Sequence, residues 1–172
     1  MSRSRVSVCG DPCCSQQVIS GEHPGRGRAD RPNARFAAAP GEGGLFRRTY
    51  IDAYFSVIYF MLIAPDFSAL HSLDGVETYH WYAGSPLRLL LLHPGGQVAQ
   101  PVLGANLARG ARPQVVVPSG VWQGSSSLGE WTLAGTTTAP AFEWSAFHLG
   151  RRAELVSGWT DAAARIRALT RA

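Results

Sequence analysis

Short apolar segments separated by turn residues fill the chain from Gly41 to about residue 140, and this rhythm limits the folds open to it. The segments recur at spacings of roughly eight to twelve residues and are bounded by Gly, Pro, Ser or Asp. The densest, 54–63 (YFSVIYFMLI), has the composition and length of a fully buried strand. No βαβ alternation follows. The rhythm therefore predicts a sandwich, jelly roll or barrel.

Turn chemistry places the other strands. The glycine-rich stretch 41–44 permits backbone angles closed to other residues and leads into a strand at 45–50. The Pro-Gly-Gly at 94–96 requires a hairpin to close there. The further predicted strands are 77–83, 87–93, 97–104, 114–118, 121–125 and 131–138.

Near the end of the chain, the apolar residues recur at a different spacing. In 160–172 (TDAAARIRALTRA), Thr160 is placed to act as an N-cap. Apolar residues then recur at helical spacing, which predicts one short amphipathic helix packed on the body. The apolar positions are Trp159, Ala162, Ala163, Ile166 and Leu169. Arg165, Arg167 and Arg171 are expected on its solvated face, with no binding role.

Residues 1–38 are predicted to be a disordered leader, and 39–172 a single folded domain. The leader is rich in Arg, Gly, Ser and Pro, and it contains Cys9, Cys13 and Cys14 at a spacing that lacks the ligand pairs of a zinc site. It holds six arginines against three acids, whereas the remaining residues hold ten against nine. The positive charge therefore belongs to the leader, and no basic face for nucleic acid is predicted.

The longest apolar run is about half the length of a membrane span, and the first residues lack the apolar core of a secretory signal. We therefore expect no membrane association and a cytoplasmic location.

Two motifs about forty residues apart carry the polar residues of interest. In the first, His71 precedes Glu77, and Gly84 follows. In the second, Pro118, Gly120 and Gln123 form a Pro-x-Gly-x-x-Gln pattern.

This pair of motifs resembles that of the cupin superfamily, whose fold is a small jelly-roll barrel with a site inside. The longer patterns Glu42-Gly43-Gly44, Pro118-Ser119-Gly120-Val121-Trp122-Gln123 and Ala139-Pro140-Ala141-Phe142 narrow the resemblance to a small cupin family of uncharacterised function. The resemblance implies an all-β cupin barrel, a pocket for a small molecule such as a sugar or nucleotide derivative, and a homodimer.

Many cupins hold a divalent metal with three His and one Glu. Here His71 and Glu77 match, but Leu73 stands at the second His position and Gln123 at the last. An amide oxygen is a weak ligand for the metals that imidazole favours, so a bound metal is disfavoured and no cofactor is expected. A metal-dependent enzyme stays open as a third alternative.

Without a metal, Glu77 and His71 are the candidate catalytic residues, because such a pair can move a proton beside a carbonyl. An epimerase or isomerase acting on a sugar nucleotide is one hypothesis, and a non-catalytic binding module or sensor is the other. Gln123, Glu42 and His80 are candidate ligand-binding residues.

Strand alternation places Glu77, Tyr79 and Trp81 on one face of their strand and Thr78, His80 and Tyr82 on the other. His80 therefore reaches the pocket only if a bulge intervenes. By the same alternation, Trp122 points outwards if Gln123 points inwards. His93 and His148 are expected to be structural or exposed.

Overall fold

The structure, a computed structural model, describes residues 28–29 and 35–171. Within these residues β-strand is the main secondary structure, and two short α-helices lie near the end. The strands are β1 (Arg28–Ala29), β2 (Ala37–Ala38), β3 (Leu45–Ile51), β4 (Ser56–Ile63), β5 (Ser68–Leu73), β6 (Val76–Gly84), β7 (Leu87–Leu92), β8 (Val98–Ala99), β9 (Val102–Leu103), β10 (Gln114–Val117), β11 (Trp122–Ser127), β12 (Trp131–Ala139) and β13 (Phe147–Leu149). The helices are α1 (Arg152–Gly158) and α2 (Ala163–Ala168), with 3-10 turns at Leu107–Arg109, Trp144–Ala146 and Thr160–Ala162.

The strands form two antiparallel sheets. Sheet A has the order β1-β3-β4-β12-β6-β10, with β2 also paired to β3. Sheet B has the order β13-β5-β11-β7-β8, with β9 also paired to β7. From β4 to β7 the chain passes alternately between the two sheets, which is typical of a jelly roll. The all-β jelly-roll prediction with a helical end is therefore confirmed.

The core lies on both faces of sheet B, and β7 shows why. Leu87, Leu89 and Leu91 point between the sheets, where they pack with residues of sheet A such as Phe60. Leu90 and Leu92 alternate with them and pack under the terminal helices. The nearly continuous run of leucines is thus explained by burial on both faces, and each buried leucine contributes about 2 kcal/mol of hydrophobic stabilisation.

Strand β4 differs from its prediction. It is a strand, but it is not fully buried, because only one of its faces packs against the core. Phe60 and Leu62 are buried, whereas Tyr59 and Ile63 are 40% and 48% exposed. The density of apolar residues therefore reflects an apolar outer face of sheet A as well as the core.

The terminal helical segment is longer and less regular than predicted. A first helix, α1, was not predicted, and Thr160 begins a 3-10 turn without capping a helix through its side chain. The apolar face does pack on the body, with Ala162, Ile166 and Leu169 buried.

The prediction of a solvated arginine face was wrong for Arg165, whereas Arg171 is exposed as predicted but also contacts the body of the domain. The half-buried Arg165 donates from Nη2 to Ser126 Oγ at 2.6 Å. Arg171 donates to the Gly41, Glu42 and Phe67 carbonyls and pairs with Asp66.

Two motif glycines take the left-handed conformation that favours glycine. Gly84 has φ +80°, and a Cβ there would come within 2.6 Å of the Trp131 carbonyl oxygen. Gly120 has φ +73°, and its N–H donates to the Leu73 carbonyl at 2.8 Å. The second motif is thereby tied to the end of β5, close to the residues of the first.

The predicted leader, 1–38, lies mostly outside the described residues, as do its three cysteines. Its described parts include β1 and β2, which pair with β3 at the edge of sheet A. Among the described residues, no helix is long and apolar enough to cross a membrane.

Candidate functional site

A cavity between the two sheets brings together residues from both sequence motifs. Its empty volume is about 680 Å³, part of which is open to solvent. Its lining comes from both sheets and from the segment after β12. The lining residues are Ala39, Glu42, Phe46, Arg48, Ser56, Ile58, Phe60, His71, Leu73, Glu77, Tyr79, Thr136, Thr138, Phe142, Trp144 and Phe147.

The floor of the cavity is built around Glu77. Strand β6 places this carboxyl between the sheets, with Tyr79 on the same face two residues later. Gln123 of β11 lies opposite His71 of β5 in the strand register, and its Nε2 donates to Glu77 Oε2 at 2.7 Å. The predicted alternation is confirmed, because Gln123 faces inwards whereas Trp122 packs with the helix-side core. Both motifs therefore meet at one buried hydrogen bond.

His71 is fixed by two contacts. Its Nδ1 lies 2.8 Å from the Ala69 carbonyl oxygen, which only accepts, so Nδ1 carries a hydrogen. Its ring stacks on Phe147 with centroids 4.9 Å apart. Nε2 makes no hydrogen bond within the described part of the chain and is left to contact a ligand.

Burial at the floor raises the pKa of two acidic side chains, Glu77 and Tyr79. Burial raises the pKa of Glu77, and the charge of Glu42 raises it further, while His71 and the Gln123 amide oppose the shift. Burial also raises the pKa of Tyr79 well above its usual value, with additional contributions from Glu77 and Glu42. Tyr79 therefore keeps its hydroxyl hydrogen, which it donates to Glu77.

Glu42 reaches the cavity from the glycine-rich turn before β3. Its Oε1 accepts a hydrogen bond of 2.6 Å from Ser68 at the start of β5. Arg171 holds the same turn from outside, through the carbonyls of Gly41 and Glu42. The position of this carboxylate is thus set by contacts with distant parts of the sequence.

Aromatic residues form the rim. Phe142, Trp144 and Phe147 pack edge to face with centroids 5.1 to 6.2 Å apart. The segment is tied to sheet A because the Phe142 N–H donates to Ser56 Oγ, which also bonds Thr138. Trp144 is 56% exposed and marks the mouth together with the exposed Arg48 of β3. A series of rings thus runs from Trp144 through Phe147 to His71.

Of the sequence-predicted site residues, the structure brings together His71, Glu77, Gln123 and Glu42. It does not bring in His80, which faces away from the cavity beside Gln114 and Gly135. A bulge does occur in β6, but after His80, so it does not turn this residue inwards. His148 pairs with Asp74 and is exposed, and His93 lies outside the cavity lining.

Sequence reasoning missed most of the rim and wall. No motif marked the hydroxyls of Thr136 and Thr138, the ring of Trp144 or the guanidinium of Arg48. Because side chains alternate along a strand, Tyr79 was predicted to lie on the same face as Glu77. This alternation was the one sequence signal that Tyr79 belongs to the site. The Ala-Pro-Ala-Phe pattern at 139–142 likewise marked the segment that carries the rim.

The family model described as cupin superfamily (DUF985) matches residues 35–150, which is most of the chain and all but one strand of the barrel. The chain belongs to the cupin superfamily. No curated protein matches it in sequence.

Solved structures agree with the cupin assignment. A crystal structure of a protein from Shewanella oneidensis is 29% identical, with a TM-score of 0.74, covering 79% of this chain and 91% of the other. A hypothetical protein from Leishmania major is 23% identical, with a TM-score of 0.74, covering 80% and 94%. A variant of oxalate decarboxylase from Bacillus subtilis is 12% identical, with a TM-score of 0.59, covering 87% of this chain and 40% of the other. The last two likenesses show the fold alone.

The residues of this cupin do not fit the metal site of the superfamily. Leu73 lines the cavity where a second His would be, and Gln123 directs its amide nitrogen, a donor, at Glu77. Within the described residues, no group of three His, Cys, Asp or Glu is placed to hold a metal ion. The donor set therefore lacks the imidazoles that would hold a transition metal.

Proposed function

We propose that this cupin is a metal-independent enzyme that moves a proton on a small hydroxylated ligand, as an isomerase or epimerase does beside a carbonyl. The observation that carries the proposal is that Glu77 and His71 both line one open cavity. Burial raises the pKa of Glu77, which makes its carboxylate a stronger base for accepting a proton from carbon.

The two residues have complementary tasks in this proposal. Glu77, oriented by the Gln123 amide, takes the proton from the carbon beside the carbonyl. Nε2 of His71 faces the carbonyl oxygen, where the electron pair of the broken C–H bond accumulates, and stabilises it by a hydrogen bond. Return of a proton to carbon from Glu77 or from water completes isomerisation. The Ala69 carbonyl, which bonds Nδ1, keeps the imidazole in this orientation.

The cavity lining indicates the class of ligand. Carboxylates and hydroxyls at the floor suit sugar hydroxyls, the rings of Phe147 and Trp144 suit the face of a sugar or base, and Arg48 at the mouth suits an anionic group. Within the described residues Arg48 makes no ion pair. A sugar phosphate or sugar nucleotide combines all three features.

Proton exchange tests the catalytic proposal. We expect the protein in D2O to exchange a carbon-bound hydrogen of one member of a sugar-nucleotide panel, followed by proton NMR. Glu77→Gln should abolish exchange while the variant still binds the compound and melts no lower than the wild type at neutral pH. Glu154→Gln, a change at an exposed glutamate in α1, is the control. Exchange that survives Glu77→Gln would contradict the assignment.

A binding module is the second candidate, and one observation favours it. The Glu77 carboxyl already accepts hydrogen bonds from Gln123 and Tyr79, an arrangement that also suits a fixed acceptor for ligand hydroxyls. In that case Glu77→Gln changes the affinity for the ligand, and no panel member exchanges hydrogen with either protein.

We further propose that the protein is a homodimer that pairs through the outer face of sheet A. This face carries exposed apolar side chains on four neighbouring strands, which is unusual for a surface in contact with water. They are Tyr59, Ile63, Tyr82, Val116 and Trp131. A cytoplasmic location stays a prediction from the sequence.

A further inference from the structure

Two arginines meet where α2 packs against sheet B, on the face away from the cavity. Arg88 of β7 lies directly opposite Ser126 of β11 in the register, so the two side chains point to the same face. Leu87 and Leu89, which flank Arg88, point between the sheets. Arg88 therefore points to the helix side, where it is exposed.

Arg165 reaches the same place from α2. Its Nη2 donates to Ser126 Oγ at 2.6 Å. Since the serine oxygen accepts this bond, its own hydrogen remains available for donation to a third group. Arg88 and Ser126 of sheet B and Arg165 of α2 thus bring guanidinium and hydroxyl donors to the same face of the sheet.

No acidic side chain balances this charge within the described residues. The ion pairs found there involve His148, Arg151 and Arg171, and neither Arg88 nor Arg165. The Arg165 Nε is buried without a hydrogen-bond partner. Burial lowers the pKa of Arg165, and the neighbouring charge of Arg88 lowers it further. An unused buried donor beside two like charges is unfavourable unless an anion compensates them.

We propose that Arg88, Arg165 and Ser126 form a binding site for a tetrahedral oxyanion, either free phosphate or the phosphate group of a larger molecule. The planar guanidinium forks match the oxygens of such an anion, and the serine hydroxyl donates to a further oxygen. The site lies on the other face of sheet B from Glu77 and is independent of the activity proposed for the cavity.

Titration with inorganic phosphate tests the site. The full chain is titrated by calorimetry and by 31P NMR at constant ionic strength, with chloride as the balancing anion. We expect saturable binding to the wild type and an affinity at least about tenfold weaker for Arg88→Gln, because one charged donor is lost. Arg109→Gln removes the charge of an exposed arginine outside this cluster and should leave the affinity unchanged.

The Arg88 variant keeps the test decisive, because Arg88 is exposed and its loss should not prevent folding, whereas Arg165 also supports the packing of α2. In phosphate-free buffer, Arg88→Gln should melt no lower than the wild type, since it relieves the repulsion. Equal phosphate affinity in the wild type and Arg88→Gln, or no saturable binding to the wild type, would overturn the proposal. Once binding is shown, a nucleotide that competes with phosphate would identify a larger ligand, and failure to compete would identify the free ion.

Discussion

At the scale of single residues, the ionisation of the buried Glu77 carboxyl affects the stability of the folded protein. Its pKa is raised in the folded protein, so the folded state binds a proton more tightly than the unfolded chain does. The group therefore lowers stability as pH rises above the ordinary glutamate pKa of about 4.3, and it has no such effect well below that pH.

The expected result is a pH-dependent effect of Glu77→Gln on the melting temperature. The melting temperature of the variant minus that of the wild type should increase from pH 4 to pH 7, because the variant has no proton to lose. Circular dichroism melts at both pH values measure this, with Glu154→Gln as the exposed control. A difference that is the same at both pH values would show that burial does not govern this carboxyl.

At the scale of elements, the turn before β3 depends on the end of the chain. Gly43 has φ +97°, and a Cβ there would collide with the Arg171 guanidinium and with the Phe67 carbonyl oxygen. Arg171 also lies over the Phe67 ring, 4.5 Å from its centroid, so its displacement would remove several contacts at once. The turn that carries Glu42 therefore forms one unit with Arg171.

We expect Gly43→Ala to lower the free energy of unfolding by about 2 to 4 kcal/mol, since it combines backbone strain with loss of the Arg171 contacts. Gly95→Ala is a matched control, because Gly95 has φ +85° but nothing within 4 Å of a Cβ. Its effect should be about 1 to 2 kcal/mol, the strain alone. Equal effects in urea denaturation would show that the contact with Arg171 contributes nothing.

At the scale of the whole molecule, the homodimer that we propose depends on the outer face of sheet A. Tyr59 and Tyr82 pack edge to face there, 5.9 Å apart, and Gly135 leaves the space in which the Tyr82 ring lies. A charge in the middle of such an interface costs about 2 kcal/mol or more per buried contact. We expect Tyr59→Arg to convert a dimer to a monomer.

Light scattering after size exclusion measures this change. Leu107→Arg, at a more exposed leucine in a 3-10 turn outside the strands, should leave the dimer intact. A wild-type monomer at micromolar concentration, or a dimer that tolerates Tyr59→Arg, would contradict the proposed interface.

Local sequence patterns predicted most of the strands, although not β5, and the family resemblance predicted the polar floor of the cavity. Alternation along β6 separates Glu77 and Tyr79 from His80, and the Gly120 turn orients Gln123, because strand period and turn geometry are local properties of the chain. The two motifs indicated a shared site because the resemblance implied that their polar side chains all point into the barrel. The direct hydrogen bond from Gln123 to Glu77 was not predicted.

The remaining contacts around the cavity depend on the tertiary structure. The stacking of Phe147 on His71, the bond from Ser68 to Glu42 and the Arg171 contacts join residues 26 to 130 positions apart. The order of strands in the two sheets brings these residues together, and no local periodicity encodes that order. For the same reason, three arginines that are equivalent in the sequence pattern of 165–171 have different environments. Arg165 packs on sheet B, Arg167 stays exposed, and Arg171 holds the wall of the cavity.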